Sequence, residues 1–527
     1  MKNSLCLISV FLVVSLIFIS CKKDTVEIPT KSLIPKTPED WSKIPFDSTL
    51  VHSFFMKYPK LQAYESDVKA LYRKHQFHYI WYDRKGINQL ANLLYDKINT
   101  IANEGVKTTI PYKGTLTALF QNDTTSKPSV TKELLISSSY FFYADKVFYG
   151  LNVKKRQELG WYLPKKKLSY VDYLDSLIVH PTLIDKDEKE VLGQYYRLKS
   201  MLKKYREIKK TALWDSIPFN PEMEPIALGD SLETVSKIRQ HLFALGVIKE
   251  DSKSNIYDKE MAQGVLNYKK SMGLVASNMI SSKMIKTLNV PIASRIQTIK
   301  INMERCRWVS NDITKTKEYI VVNIPSYQLT YFKEGKPVLR SNVVVGKVMH
   351  ETVVFSGMMQ FIVFSPYWNV TPNIIKTEIA PEMKKNKNYL AEHDMEWNGG
   401  RIRQKPGPKN SLGLVKFLFP NSNNIYLHDS PAKSLFNASS RAFSHGCIRV
   451  AKPVELANEI LKGDTNWTPE KITEAMHSGK ESWYTLKEKI PVYIGYFTAW
   501  VDDDDVIHFY DDVYKRDGRL AEQIFEK

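Results

Sequence analysis

The sequence predicts a multidomain α+β protein: a long helical half, a compact three-helix unit and a mainly β C-terminal domain. Three observations predict it. The chain has 527 residues, too many for one hydrophobic core at ~100–200 residues per domain. From about 50 to 215, apolar and aromatic residues recur at helical spacing, as in AYESDVKALYRKHQFHYIWY and ELLISSSYFFYADKVFYGLNV. Beyond 317 the texture changes to β-branched and aromatic runs broken by Pro and Gly, as in EYIVVNIPSYQLTYF, PVLRSNVVVG and MQFIVFSPYW.

The composition is globular. With 43% hydrophobic and 25% charged residues, 25 Pro and 22 Gly, it excludes a wholly disordered, collagen-like or disulfide-scaffold protein. Lys and Arg outnumber Asp and Glu by 75 to 57, a net +18. That balance suits nucleic acid, a lipid surface or an acidic polymer, or simply a solvated basic surface, and does not choose among them.

At the N-terminus, Lys2 precedes an apolar run from Leu5 to Ser20, followed by Cys21-Lys22-Lys23. A helix of that length spans roughly 24 Å, short of the ~30 Å hydrocarbon core. The run therefore reads as the apolar region of an export signal over 1–21. An uncleaved anchor would leave Lys22 and Lys23 on the exported side, against the positive-inside bias. Ser20 before Cys21 resembles a bacterial lipoprotein cleavage site, with Phe18 standing where Leu is usual. Cys21 is thus the expected lipidation site, and the body is expected in the bacterial cell envelope, facing the periplasm and anchored to a membrane. Residues 22–49, rich in Pro, Lys and Thr up to about Phe46, read as a tether.

Residues 50–221 read as a helical scaffold domain whose aromatics are core rather than ligand site. Between 222 and 292, Asp230 and Glu233 make a capping-box-like start to a helix with Val235, Ile238, Leu242 and Leu245 on one face. Met261, Val265, Tyr268 and Met272 repeat the pattern, and SSKMIKTLNV supplies a third short helix. This order resembles a peptidoglycan-binding three-helix domain. Residues 293–527 form the last domain, ending in an expected hairpin whose turn is the solvated run Asp502 to Asp505. That run lacks the spacing and terminal Glu of a calcium loop.

Of four cysteines, only Cys306 and Cys447 lie in the body, enough for one disulfide but not for a four-cysteine zinc site. The chemistry is concentrated in NNIYLHDS and RAFSHGCIRV. Strand alternation puts Ile425 and Leu427 inward with Tyr426 and His428 on the other side, and Ile448 and Val450 inward with Cys447 and Arg449 opposite. Two adjacent strands would bring an imidazole, a thiol and a guanidinium to one surface, and Gly446 permits a sharp turn beside the thiol. A free thiol is only a few per cent thiolate at neutral pH, so a nearby imidazole is what a cysteine nucleophile needs. The spacing alone leaves three readings open: a nucleophile, a metal site of Cys447, His445 and His428, or a buried structural cysteine. An idle thiol outside the cytosol is an oxidation liability, which favours a purposeful one.

His428, fifteen intervening residues and then Ser444-His445-Gly446-Cys447-Ile448-Arg449 resemble the signature of the L,D-transpeptidases with a YkuD-type catalytic domain. Arg after the hydrophobic residue is typical of the large, lid-bearing YcbB-like subclass. NMERCRWV near 302, SPYWNVTP near 365, RIRQKPGPKNSLGLVKFLFPN near 401 and TAWVDDDD near 498 extend the likeness over about 295 to 515. Cys306 stands where the subclass usually has a second Trp and is expected to be a buried apolar substitute.

The resemblance implies a peptidoglycan enzyme forming 3-3 cross-links through a cysteine thioester, with no metal or organic cofactor and no nucleic acid. Cys447 would be the nucleophile, His428 the general base and later acid, and the backbone carbonyl of Asp429 the third element. His445 and Gly446 would shape the site, the amides around Gly446 and Cys447 forming an oxyanion hole. Arg449, Tyr426, Ser444, Trp368 and Arg403 would bind substrate, and residues from about 376 to 412 would form a capping lid. The implied partners are a tetrapeptide stem as donor and a diaminopimelate amine as acceptor, with carbapenems as acylating inhibitors. Water as acceptor would make a carboxypeptidase, and a protein lysine an anchoring enzyme. A catalytically idle wall-binding scaffold is the non-enzymatic alternative.

Overall fold

A computed structural model describes residues 40–121, 127–165, 168–185 and 191–525. The expected export signal, Cys21 and the tether up to residue 39 lie outside the described residues. Among the described residues no helix is long and apolar enough to cross a membrane.

The N-terminal half is helical. Its centre is α1 (Val130–Ala144), apolar on all sides in ELLISSSYFFYA and buried at every residue from Glu133 to Ala144. Ser129 caps its N-terminus by accepting from the Lys132 N–H. Helices Leu50–Lys57, Glu65–Lys74, Gln89–Asn99 and Lys113–Gln121 pack around it. The crowded aromatics are core: Tyr72, Trp81, Tyr140 and Tyr143 are almost fully buried. Glu133 enters this core because Tyr72 Oη donates to it at 2.7 Å and the Ile80 N–H at 2.6 Å. Burial still pushes its carboxyl up to about 7. The half ends in α2 (Gln194–Thr211), whose buried stripe is Tyr195, Leu198, Leu202, Tyr205 and Ile208.

A three-helix unit follows with a core of its own. Helices α3 (Glu233–Ala244), α4 (Lys259–Ser271) and α5 (Ser282–Leu288) enclose Val235, Ile238, Leu242, Met261, Val265, Tyr268 and Met284. Leu245 and Met272 sit at its rim, partly buried. The expected capping box does not form. Asp230 accepts from the Ala227 N–H at 2.7 Å and, through its carbonyl, from the Tyr257 N–H. That turn occupies the carboxylate, so the helix starts after Leu232 without a side-chain cap.

Helix α6 (Ile292–Arg307) leads into the β domain. Its strands are β1 (Glu318–Asn323), β2 (Gln328–Lys333), β3 (Lys336–Gly346), β4 (Ser356–Phe364), β5 (Trp368–Asn369), β6 (Met395–Asn398), β7 (Arg401–Gln404), β8 (Val415–Leu418), β9 (Leu427–His428), β10 (Ala442–Ser444), β11 (Ile448–Val450), β12 (Ser482–Gly495), β13 (Ala499–Val501) and β14 (Ile507–Phe509). The large sheet runs β10-β3-β11-β9-β8-β4-β12-β1-β2, and β2 also pairs with β3, closing a ring of eight strands. Inward positions such as Ile320, Val322, Leu329, Ile362, Phe417, Leu427 and Ile448 fill it.

Residues 366–413 are an excursion between β4 and β8, which pair directly from Phe364 and Val415 onward. It carries the sheet β5-β7-β6 and a small core of Val370, Ile374, Ile379 and Ile402. Strands β6 and β7 meet at Gly399-Gly400, both at positive φ, as a two-residue hairpin requires. Buried Asn410 pins the neck by donating to the Pro366 and Lys405 carbonyls. The tail hairpin β13–β14 turns at Asp502 to Asp505. Its turn is more than solvated: Asp502 holds His508 at 2.6 Å, and its carbonyl accepts from Arg197 of α2. Helix α7 (Arg516–Phe525) closes the chain against α6.

The end of α6 joins the two halves. Arg307, almost fully buried, donates to the Val147 carbonyl at 2.7 Å, the Glu104 carbonyl at 2.5 Å and Glu304 at 2.8 Å. Glu304 also accepts from the Leu151 N–H and the Trp308 indole. Cys306 is completely buried beside them and unpaired. Removing one member of a buried ion pair leaves the other uncompensated, at a cost of about 3–5 kcal/mol. Arg307→Ala is therefore expected to lower the thermal unfolding midpoint by several degrees. An unchanged midpoint would show that the pair does not hold the halves together.

Candidate active site

Strands β9 and β11 pair in parallel, Leu427 with Ile448 and His428 with Arg449. Leu427, Ile448 and Val450 point into the ring, so alternation sends Tyr426, His428, Cys447 and Arg449 to the opposite face. Tyr426 lies beside Cys447, and the Ile448 N–H donates to the Tyr426 carbonyl at 3.1 Å.

His428 is buried. Its Nδ1 lies 2.5 Å from the Asp429 carbonyl oxygen, which makes that nitrogen the donor and leaves Nε2 as the lone-pair nitrogen. Burial first, then the Arg449 charge, lowers its pKa to about 4. The ring is therefore neutral at ordinary pH and competent to accept a proton. The Asp429 carboxylate is occupied elsewhere: it accepts from the Leu414 N–H at 2.9 Å and the Ser430 N–H at 2.7 Å, and it pairs with Lys433. Gly413 is required beside it, because it sits at φ +64 and a Cβ there would lie 2.3 Å from Asp429 Oδ2.

The half-buried Cys447 thiol donates to the Asn424 carbonyl at 3.5 Å. Burial pushes its pKa up; hydrogen bonds from the Tyr426 N–H and hydroxyl, and the Arg449 charge, act in the opposite direction. The Tyr426 hydroxyl is itself pushed well above its ordinary value by burial and by the sulfur. Arg449 is half-buried with Nε unpartnered. The site at rest is thus a neutral thiol and a neutral imidazole flanked by a fixed cation, suited to nucleophilic chemistry with general-base help. The three residues of the candidate metal set face different partners: the Cys447 sulfur toward Asn424, His428 toward Asp429, and His445 toward Glu378 at 2.6 Å. Among the described residues no group of three or more His, Cys, Asp or Glu is placed to hold a metal ion.

The turn before Cys447 is braced from below. Gly446 has φ +114, a conformation that suits glycine. Buried Ser444 accepts from the Gly446 N–H at 3.1 Å and donates to the Cys447 carbonyl at 2.5 Å. Thr352 donates to the Gly446 carbonyl at 2.8 Å and accepts from the Gly346 N–H at 2.9 Å. The Tyr514 hydroxyl accepts from the Thr352 N–H and donates to the Gly346 carbonyl at 2.7 Å. Gly346 has no room for a side chain, since a Cβ would meet the His350 carbonyl at 2.0 Å.

Of the residues singled out in the sequence, Cys447, His428, Asp429, Tyr426 and Arg449 are brought together, with His445 and Gly446 on the adjoining turn. Ser444 faces the turn backbone. Trp368 is half-buried against the excursion's small core. Arg403 pairs with Glu396 at 2.6 Å and lies 4.0 Å over the Tyr367 ring. Thr352, Tyr514, Asn424 and Glu378 also contact the site, and nothing in the sequence marks them. The φ of +52 at Asn424 has no sequence signal beyond the tolerance of Asn for that region. The others are distant in sequence.

Residues 317–473 match the model of the L,D-transpeptidase catalytic domain, YkuD, and residues 66–202 match that of a scaffold domain. A Haemophilus influenzae protein named "Putative L,D-transpeptidase" is 33% identical over 245 residues, 42% of this chain and 49% of that protein. The chain thus spans about half the length of the curated relative it matches. An L,D-transpeptidase from Mycobacterium smegmatis is 12% identical over 34% of this chain and 58% of its own, with a TM-score of 0.20. The L,D-transpeptidase (Yku) from Stackebrandtia nassauensis is 12% identical over 52% of this chain and 97% of its own, with a TM-score of 0.23. The segment that matches the YkuD catalytic-domain model, residues 317–473, contains both the His428 strand and the Cys447 turn.

Proposed function

We propose that the protein cross-links peptidoglycan stem peptides 3-3 through a thioester on Cys447. The observation that supports this most is the parallel β9–β11 register, which puts His428, Cys447 and Arg449 on one face. The Cys447 sulfur, giving its proton to His428 Nε2, attacks the carbonyl of the third residue of a tetrapeptide stem. The amide to the terminal D-Ala breaks, and D-Ala leaves with the proton from His428. A diaminopimelate side-chain amine of a second stem then attacks the thioester, His428 takes its proton, and the thiol is released.

Because Ser444 engages the Gly446 N–H, the Cys447 N–H is the amide assigned to the oxyanion. Arg449 holds a substrate carboxylate and favours thiolate; Tyr426 donates to the sulfur. Residues 376–412, touching the turn through Glu378 and His445, are the lid, with Trp368 at its base. We assign the three-helix unit to wall binding and Cys21 to lipid anchoring at the periplasmic side of the envelope.

Purified protein incubated with disaccharide-tetrapeptide is expected to give cross-linked dimer and free D-Ala by mass spectrometry, and Cys447→Ala and His428→Ala neither. Tripeptide without dimer would instead indicate water as acceptor. Absence of both products and of a thioester adduct in folded protein would sink the reading.

The pKa directions set the pH behaviour. With the thiol raised and the imidazole near 4, no thiolate–imidazolium pair forms in the resting site. Iodoacetamide alkylation of Cys447, followed on its own peptide, should keep rising through pH 9. A plateau near pH 6–7 would reveal a preformed ion pair. Acylation by a carbapenem should likewise lose its base only as pH falls toward 4, not at the ordinary 6.5.

Tyr514→Phe removes the brace under Thr352 without touching the reacting groups. Acylation is expected to slow about tenfold, since small misplacements of reacting atoms are costly. An unchanged rate would mean that the turn is held without it.

A further inference from the structure

A cleft of about 1470 Å³ lies between α2 and the outer face of the ring, far from the catalytic turn in strand order. Its floor is β2, β1 and β12. Strand β1 is four strands from β9 in either direction around the ring, and no residue of the turn or of the excursion lines the cleft.

The floor is graded. Tyr319 pairs with Phe332 across β1 and β2, their rings stacked 4.7 Å apart, and Tyr493 on β12 packs edge-on to Tyr319. Four pairs along, Asn323 opposes Gln328, which is exposed. One end is aromatic and the other is amide. Trp500, half-buried on β13, closes the end of the trough, and Tyr196 and Ser200 of α2 line its wall.

These features exclude several occupants. The volume exceeds the 300–1,000 Å³ of small-molecule sites, so the ligand is extended. Lys and Arg side chains around the cleft (Arg197, Lys199, Lys203, Arg206, Lys210 and Arg340) are nearly balanced by Asp185, Glu207, Asp502, Asp503 and Asp505. Arg197 pairs with Asp503 at 3.3 Å and Lys199 with Glu104 at 2.7 Å, so the cleft offers little net drive for a polyanion. A peptide added as a strand needs an unpaired edge, and β1 is paired on both sides. What suits such a surface, at near-neutral charge, is carbohydrate. Phe332, Tyr493 and Trp500 are partly exposed and offer ring faces to apolar sugar surfaces, and Gln328 and Thr330 offer amide and hydroxyl groups to sugar hydroxyl and acetamido groups.

We infer that this cleft binds an extended, uncharged N-acetylated glycan, the backbone that carries the stem peptides, at a place separate from the thiol. The inference rests on the transpeptidase reading for the identity of the polymer, not for the cleft's chemistry.

The test is calorimetric titration of the full chain with the β-1,4-linked N-acetylglucosamine hexamer. Binding is expected, weakened about tenfold in Phe332→Ala and several-fold in Gln328→Ala, with carbapenem acylation of Cys447 unchanged in both. Gln328 is exposed on the strand surface, so its variant keeps the test valid if Phe332→Ala disturbs the sheet. No binding by the wild type would overturn the inference. So would binding unaffected by either cleft variant but lost in Leu232→Asp on the three-helix unit. Loss of cross-linking activity with hexamer binding intact would instead count against the transpeptidase reading alone.

Discussion

The two-residue parallel ladder between β9 and β11 is the contact on which the site depends. So short a pairing has little stability of its own. It persists because β8 flanks β9 and β3 flanks β11, so both strands are interior to a closed ring. The apolar partners Leu427 and Ile448 lock its register: a one-residue slip would turn them outward and drive His428 and Cys447 into the core. The same contact that buries two aliphatic side chains therefore fixes which functional groups face each other.

Burial governs the electrostatics of that face. Desolvation disfavours charge on both groups, raising the thiol and lowering the imidazole. Arg449, held beside both, pulls each toward its deprotonated form. For the thiol it opposes burial; for the imidazole it adds to burial. The outcome is a base that stays available across ordinary pH and a thiol that ionises when its proton is taken. The Asp429 carboxylate, held by its own backbone and lysine partners, acts on the imidazole only through its charge, which works against burial, and orientation of the ring falls to the Asp429 carbonyl.

Farther out, rigidity comes from buried polar groups with every partner supplied. Glu304 and Arg307 at the end of α6 gather backbone from the helical half, and the Thr352–Tyr514 pair fastens the Gly446 turn to the C-terminal segment. Such groups are costly to bury alone and stabilising when satisfied. The cleft between α2 and the ring is the reverse case, two walls that do not interdigitate.

Much of this architecture is legible in the sequence. The helical half, the three-helix core and the β domain follow from periodicities of 3.6 and 2, which local sterics impose on every segment. The grouping of Tyr426, His428, Cys447 and Arg449 follows from the same alternation once two strands are taken as neighbours. The capping box at Asp230 failed because a tertiary turn claimed the carboxylate. Thr352 reaches Gly446 across 94 residues, and Tyr514 reaches Thr352 across 162. Which side chains share a face is written in the chain itself, because the strand period is a local property of the backbone. Which of them are buried, what each donates to and how their pKa values shift depend on the packed fold, because desolvation and long-range hydrogen bonds exist only after distant segments meet.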